Sequence, residues 1–105
     1  MSLIDELREK IFSGEWELSQ HAVDQAIRRG IDLDALPSVF ANAEVIEDYP
    51  NDKYGPSCLI LGFMGPGRPL HVQCTYPSRP LVKIITLYEP DPELWVDHRM
   101  RRGEK

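Results

Sequence analysis

The chain has few of the residues that build inorganic and redox centres. Its two cysteines, Cys58 and Cys74, lie far apart without a CxxC, so they fit neither a zinc nor a dithiol pattern. Both fall in runs that read as strands, where buried thiols serve as small hydrophobes. The three histidines show no HxxxH or HExxH spacing, so no metal or other cofactor is expected. No apolar run approaches the roughly 20 residues that span a bilayer, which argues against a membrane partner. The opening "MSLIDELREK" carries acids in its first turns and resembles neither a secretory signal nor a transit peptide. Cytoplasmic residence is the expectation.

Positive charge is also scarce, and it is unevenly placed. The net charge of −5 discourages general affinity for nucleic acid. Yet residues 99–105 hold Arg99, Arg101, Arg102 and Lys105 against Glu104 alone. Such a basic C-terminal tail on an acidic body suits contact with phosphate or an acidic partner, or it stays a solvated end. At 105 residues, 42% hydrophobic and 28% charged, residues 1–105 read as one soluble domain.

Periodicity predicts helices first and strands after. Residues 2–13 read as a helix, with Ser2 as cap, Asp5 in capping-box position and Gly14 as stop. A second runs from the cap Ser19 to Gly30, its stripe of Ala22, Val23, Ala26 and Ile27 opposite His21, Asp24, Gln25 and Arg28. A third is expected to start at Asp34, because that start leaves Pro37 in the first turn, where its missing N–H removes no internal bond. "EVIEDY", "SCLILGFM", "LHVQCTY" and "LVKIITLY" read as strands separated by turn-rich loops. "DPELW", with Asp91 as cap and Pro92 next, predicts a short closing helix. The fold class is therefore α+β, with N-terminal helices on one face of an antiparallel sheet of about four strands.

A four-residue turn would pair Tyr76 with Leu81, Val72 with Ile85 and His71 with Thr86. Leu70, Val72, Ile85 and Leu87 then face the helices, while His71, Gln73 and Thr75 share an uncovered face with Ile84, Thr86 and Tyr88. Lys83 falls on the covered face, where it would have to snorkel out.

Two polar clusters stand out. One is His21, Gln25, Arg28 and Arg29 on the second helix; the other is His71 with Thr86 and Tyr88 on the sheet. Two histidines brought together can exchange protons with an RNA 2′-hydroxyl and a leaving oxygen, while an arginine fork stabilises the phosphorane. Spacing does not decide between Arg28 and Arg29.

The run "SQHAVDQAIRRGID", followed by "EVIEDYPND", "LILGF", "LHVQC" and "VKIITLYEPDPELW", resembles DUF family 4258 from Glu17 to Trp95. That family is similar to the barnase–RelE type of small α+β ribonuclease toxins. The resemblance implies metal-independent RNA cleavage, with RNA, a ribosome or a small antitoxin protein as partner. It marks His21, Arg28 or Arg29, His71 and Thr86 as the recurring polar positions. The expected site is thus His21, Arg29, His71 and Thr86 for catalysis, with Arg28, Gln25 and Tyr88 binding substrate. Two other functions fit the sequence. One is a protein-binding module whose uncovered sheet face, with Ile84 and Tyr88, contacts a partner such as an antitoxin. The other is an enzyme acting on a small polar substrate or a nucleotide through the same residues as the expected nuclease.

Overall fold

The computed structural model describes residues 2–103, so Glu104 and Lys105 of the basic tail lie outside the described residues. It is α+β, with three helices, a five-stranded mixed sheet and a small two-stranded sheet.

Helix α1 (Leu3–Phe12) is started by a capping box. The Ser2 hydroxyl accepts from the Asp5 N–H and the Asp5 carboxylate accepts from the Ser2 N–H. Helix α2 (Gln20–Arg29) is capped by Ser19 and closed by Gly30, whose φ of 65° a side chain would resist. The third helix departs from expectation. Asp32, not Asp34, caps a short 3₁₀ turn over Leu33–Ala35, and α3 (Leu36–Ala41) follows with Pro37 in its first turn. The 3₁₀ turn supplies the lead-in that lets Pro37 enter without losing a backbone bond.

The sheet order is β1 (Trp16–Leu18), β5 (Val82–Tyr88), β4 (Pro69–Thr75), β3 (Ser57–Phe63) and β2 (Glu44–Tyr49). Four strands are antiparallel, as the alternation predicted. The fifth, β1, pairs parallel with β5, Trp16 opposite Val82. The sheet therefore has more strands than expected and is mixed, because three residues are too few to display a period.

The β4–β5 register also differs from the expected one. His71 lies opposite Tyr88 and Gln73 opposite Thr86, but Cys74 lies opposite Ile84, so Ile85 is an extra residue bulged from the ladder. The Ser19 hydroxyl donates to the Ile85 carbonyl at 2.7 Å, so the bulge and the α2 cap hold each other. The bulge reverses the expected parity of β5 before it, while Thr86, Leu87 and Tyr88 keep their expected faces. Ile84 and Val82 enter the helix-side core, Ile85 is only half-buried, and Lys83 turns to the other face and needs no snorkelling.

The main core lies between the helices and one sheet face, where Leu7, Ile11, Leu36 and Phe40 meet Ile60, Val72, Ile84 and Leu87. Gly62 lets α3 come close, since a Cβ there would sit 2.5 Å from the Val39 carbonyl oxygen. Cys58 and Cys74 face each other across β3 and β4 as buried free thiols, in keeping with the hydrophobe reading.

The second sheet face is not uncovered. The expected closing helix makes a single turn, in which Asp91 accepts from the Glu93 N–H at 2.8 Å and Trp95 N–H bonds the Asp91 carbonyl. The chain then enters a ribbon, β6 (Trp95–Val96) and β7 (Met100–Arg101), folded back over the sheet. Burial of the Trp95 indole, 4% exposed, outweighs continuation of a capped helix.

Candidate functional site

Strand alternation sorts the chemistry by face. Leu70, Val72 and Cys74 point into the core shared with Ala22 and Ala26 of α2, so His71 and Gln73 point to the opposite side. The expected histidine pair is therefore split by the sheet. His21, Arg28 and Arg29 stand exposed on α2. There Arg29 Nε donates to Gln25 Oε1 at 2.9 Å, and Gln20 donates to Asp24 at 3.0 Å, so much of the helix's polar face is paired along its own length. Of the expected site, only His71, Thr86 and Tyr88 come together on the second face.

New neighbours join them there. A bulge at Ile46, between Val45 opposite Ile60 and Glu47 opposite Leu59, turns Glu47 and Tyr49 to the second face. Arg101 reaches down from β7 and grips the Glu47 carboxylate with both arms of its fork, at 2.9 and 3.0 Å. Its guanidinium lies 4.7 Å from the Trp95 ring centroid, and that indole stands edge-on to His71 at 4.4 Å, interplanar angle 88°. His71 in turn meets Tyr88, ring centroids 5.3 Å apart. Tyr49, Glu47, Arg101, Trp95, His71 and Tyr88, in that order, form one continuous stack drawn from five strands.

His71 is fully buried. Its Nε2 lies 2.6 Å from the His98 carbonyl oxygen, which can only accept, so Nε2 carries the proton. Nδ1, 3.3 Å from the Tyr88 hydroxyl, is then the acceptor. Burial lowers the His71 pKa below the usual histidine value, against the opposing pull of the His98 carbonyl and the Glu47 charge. Burial raises Glu47, but the bonds from Arg101 and Tyr49 outweigh it and hold the carboxyl below its usual range. Tyr49 is pushed up to about 12 by burial and by its bond to Glu47, and burial raises Tyr88 as well. The Glu47 bond holds Arg101 more firmly in its charged form.

Beside this stack runs a second polar row. Gln73 donates to the Ser57 hydroxyl at 3.3 Å, and Ser57, itself fully buried, donates to Asp52 at 3.1 Å. Thr86 lies opposite Gln73 on β5. Elsewhere, an open hollow of about 250 Å³ at the end of α1 is lined by Glu6, Glu9, Lys10, Ser13, Glu15 and Pro77, and it touches none of these residues.

Glu47, Tyr49, Trp95 and Arg101 were not among the residues singled out from the sequence. Glu47 and Tyr49 alternate on "EVIEDY", which hints at a shared face, but the bulge that aims them at His71 leaves no mark in the sequence. Arg101 was visible only as one charge of the basic tail.

Fold and site together describe a small α+β domain that carries one coupled acid–base cluster on the sheet face away from its helices. The family model for the domain of unknown function DUF4258 matches residues 18–89, and the chain belongs to that family. No curated protein and no solved structure matches the chain. Among the described residues, no helix is long and apolar enough to cross a membrane.

Proposed function

We propose that the chain is a toxin-like, metal-independent endoribonuclease of barnase/RelE-like kind, with its working site on the second sheet face rather than between two histidines. The observation that carries this reading is the convergence of a carboxylate, an imidazole, a guanidinium and two phenols in one contiguous stack. Titratable groups displaced together from their ordinary pKa values are characteristic of working sites.

Each step of RNA transesterification has a candidate group. Glu47 takes the 2′-hydroxyl proton, and the freed oxygen attacks phosphorus. Arg101 exchanges Glu47 for the phosphate oxygens and stabilises the added charge. His71, as imidazolium, gives its Nε2 proton to the departing 5′-oxygen, leaving a 2′,3′-cyclic phosphate and a 5′-hydroxyl. A phosphate beside His71 favours that charged form. Glu47 on β2 and His71 on β4 flank β3, and strands spaced about 4.8 Å apart leave base and acid roughly 10 Å apart at the backbone, room for a phosphate between them. Thr86, Gln73 and Tyr88 border the same face and contact the substrate. His21, Gln25, Arg28 and Arg29 take no part.

The test is cleavage of a labelled RNA in EDTA. Slow cleavage by the wild type is expected, falling by about 10²–10⁴ in Glu47→Gln and His71→Gln while His21→Ala stays within about twofold. Loss of cleavage in His21→Ala with full activity in Glu47→Gln would overturn this site.

A second reading has its own support. On the outward side of the β6–β7 ribbon, Leu94, Val96 and Met100 are exposed, Met100 by 68%. A folded wild type that never cuts RNA, free or on a ribosome, would instead favour a non-catalytic module that binds a small antitoxin-like protein.

A further inference from the structure

The proposed site is shut. Trp95 fills the gap between the Glu47–Arg101 pair and His71, and the His98 carbonyl covers the imidazole N–H. Both groups belong to residues 90–103, beyond the stretch the family model matches. The cover is held by the buried Trp95 indole, by the His98 carbonyl on His71 and by two ion pairs. Arg101 holds Glu47, and Arg99 holds Glu44, at side chains between 21% and 48% exposed. Its tip is also strained. Asp97 and His98 have φ of 52° and 62° in the two-residue turn closed by the Arg99 N–H and the Val96 carbonyl. Such a turn suits Asn-Gly or Asp-Gly, so Asp97 fits the first position while His98 stands where glycine is preferred.

We infer that the β6–β7 ribbon is an autoinhibitory cover which a polyanionic strand opens by competing with Glu44 and Glu47 for Arg99 and Arg101. The inference rests on the reading of this face as an RNA-cleaving site, and it specifies how that site is regulated. A phosphate that takes Arg101 does three things at once. It frees the Glu47 carboxylate to act as base, releases one of the two ion pairs, and brings anionic charge towards His71. As the ribbon lifts, the indole vacates the space between base and acid, and a nucleotide can enter. The long Arg101 side chain can stay on the phosphate while Trp95 withdraws, so the cation that fastens the cover becomes the cation that binds substrate. Binding of the correct ligand would then assemble the site, as in induced fit.

The test measures opening and chemistry separately, on the full chain. Opening is the rate at which diethyl pyrocarbonate modifies His71, read by peptide mass, with exposed His21 as internal reference. Chemistry is cleavage of labelled RNA. Trp95→Ala removes the plug and should raise His71 modification at least tenfold, with faster cleavage. The double variant Asp97→Asn/His98→Gly relaxes the strained turn and should slow both, and it remains informative if Trp95→Ala fails to fold. A second measurement adds a short 2′-O-methyl RNA, which cannot be cut, and follows exchange of the Arg99 and Arg102 amides. Faster exchange at a concentration where an uncharged nucleoside has no effect supports opening by a polyanion. Unchanged His71 modification in folded Trp95→Ala, or no response to the oligonucleotide, overturns the cover. Faster His71 modification without any cleavage keeps the cover and overturns the ribonuclease reading instead.

Discussion

His71 shows how a single side chain changes meaning when its surroundings are known. In the sequence it is a polar residue on an alternating strand, equally ready for catalysis or for a hydrogen bond. In the fold it is neutral and fully buried, with both ring nitrogens partnered. Its lowered pKa has a definite consequence for stability. The folded state holds the proton less well than the unfolded chain, so the unfolded state binds more protons below the ordinary histidine value of 6.5. Stability conferred by neutral His71 is therefore complete above that pH and is lost as pH falls below it. Urea unfolding of the wild type from pH 7.5 to 5 should show this loss, with a slope of at most about 1.4 kcal/mol per pH unit for one proton. His71→Gln should remove that slope. Glu47, also held below its usual range, adds a second loss only beneath 4.5, so the two windows separate.

Among the elements, α2 and β5 are joined through Ser19, which caps the helix through the Ala22 N–H and also satisfies the Ile85 carbonyl freed by the bulge. Ser19→Ala removes both bonds. It should cost about 2 kcal/mol by denaturant unfolding, more than the roughly 1 kcal/mol typical of a lost cap. Helices α1 and α2 were legible because their signals are local: Ser2 with Asp5, Ser19 with Gly30, and stripes at helical spacing, although Ile27 of the α2 stripe stands 76% exposed rather than in the core. Four strands were legible from alternation and turn residues. What stayed hidden depends on distant partners. Trp16–Leu18 becomes a strand only against Val82–Ile84, and the capped turn at Asp91 stops short because Trp95 finds a buried place on the sheet. The site was half legible for the same reason. His71, Thr86 and Tyr88 share a face by alternation, whereas bulges at Ile46 and Ile85 set which residues they meet.

On the scale of the whole molecule, one face of the sheet is sealed by a deep apolar core and the other by a small ribbon with exposed ion pairs. The two sides should open at different free energies. Native-state hydrogen exchange should find the Trp95, Arg99 and Arg102 amides, all hydrogen-bonded within residues 91–102, opening well before the centres of β3 and β4. Raising salt from about 0.05 to 0.5 M shortens the Debye length to a few ångströms and should speed exchange in the ribbon while leaving the central strands unchanged.

The strand order has one more consequence, for the protein at birth. The last long strand to be made, β5, is placed inside the sheet, between the first strand and β4. Until it leaves the ribosome, β1 has no ladder, Ser19 has no bulge carbonyl to hold, and α2 has no floor. The helices are made before β5 and must wait for it, so folding of this domain during synthesis is compressed into the stage after β5 emerges. A pause in translation before residue 88 would leave their apolar stripes in water, and that interval is when this small domain most needs a chaperone.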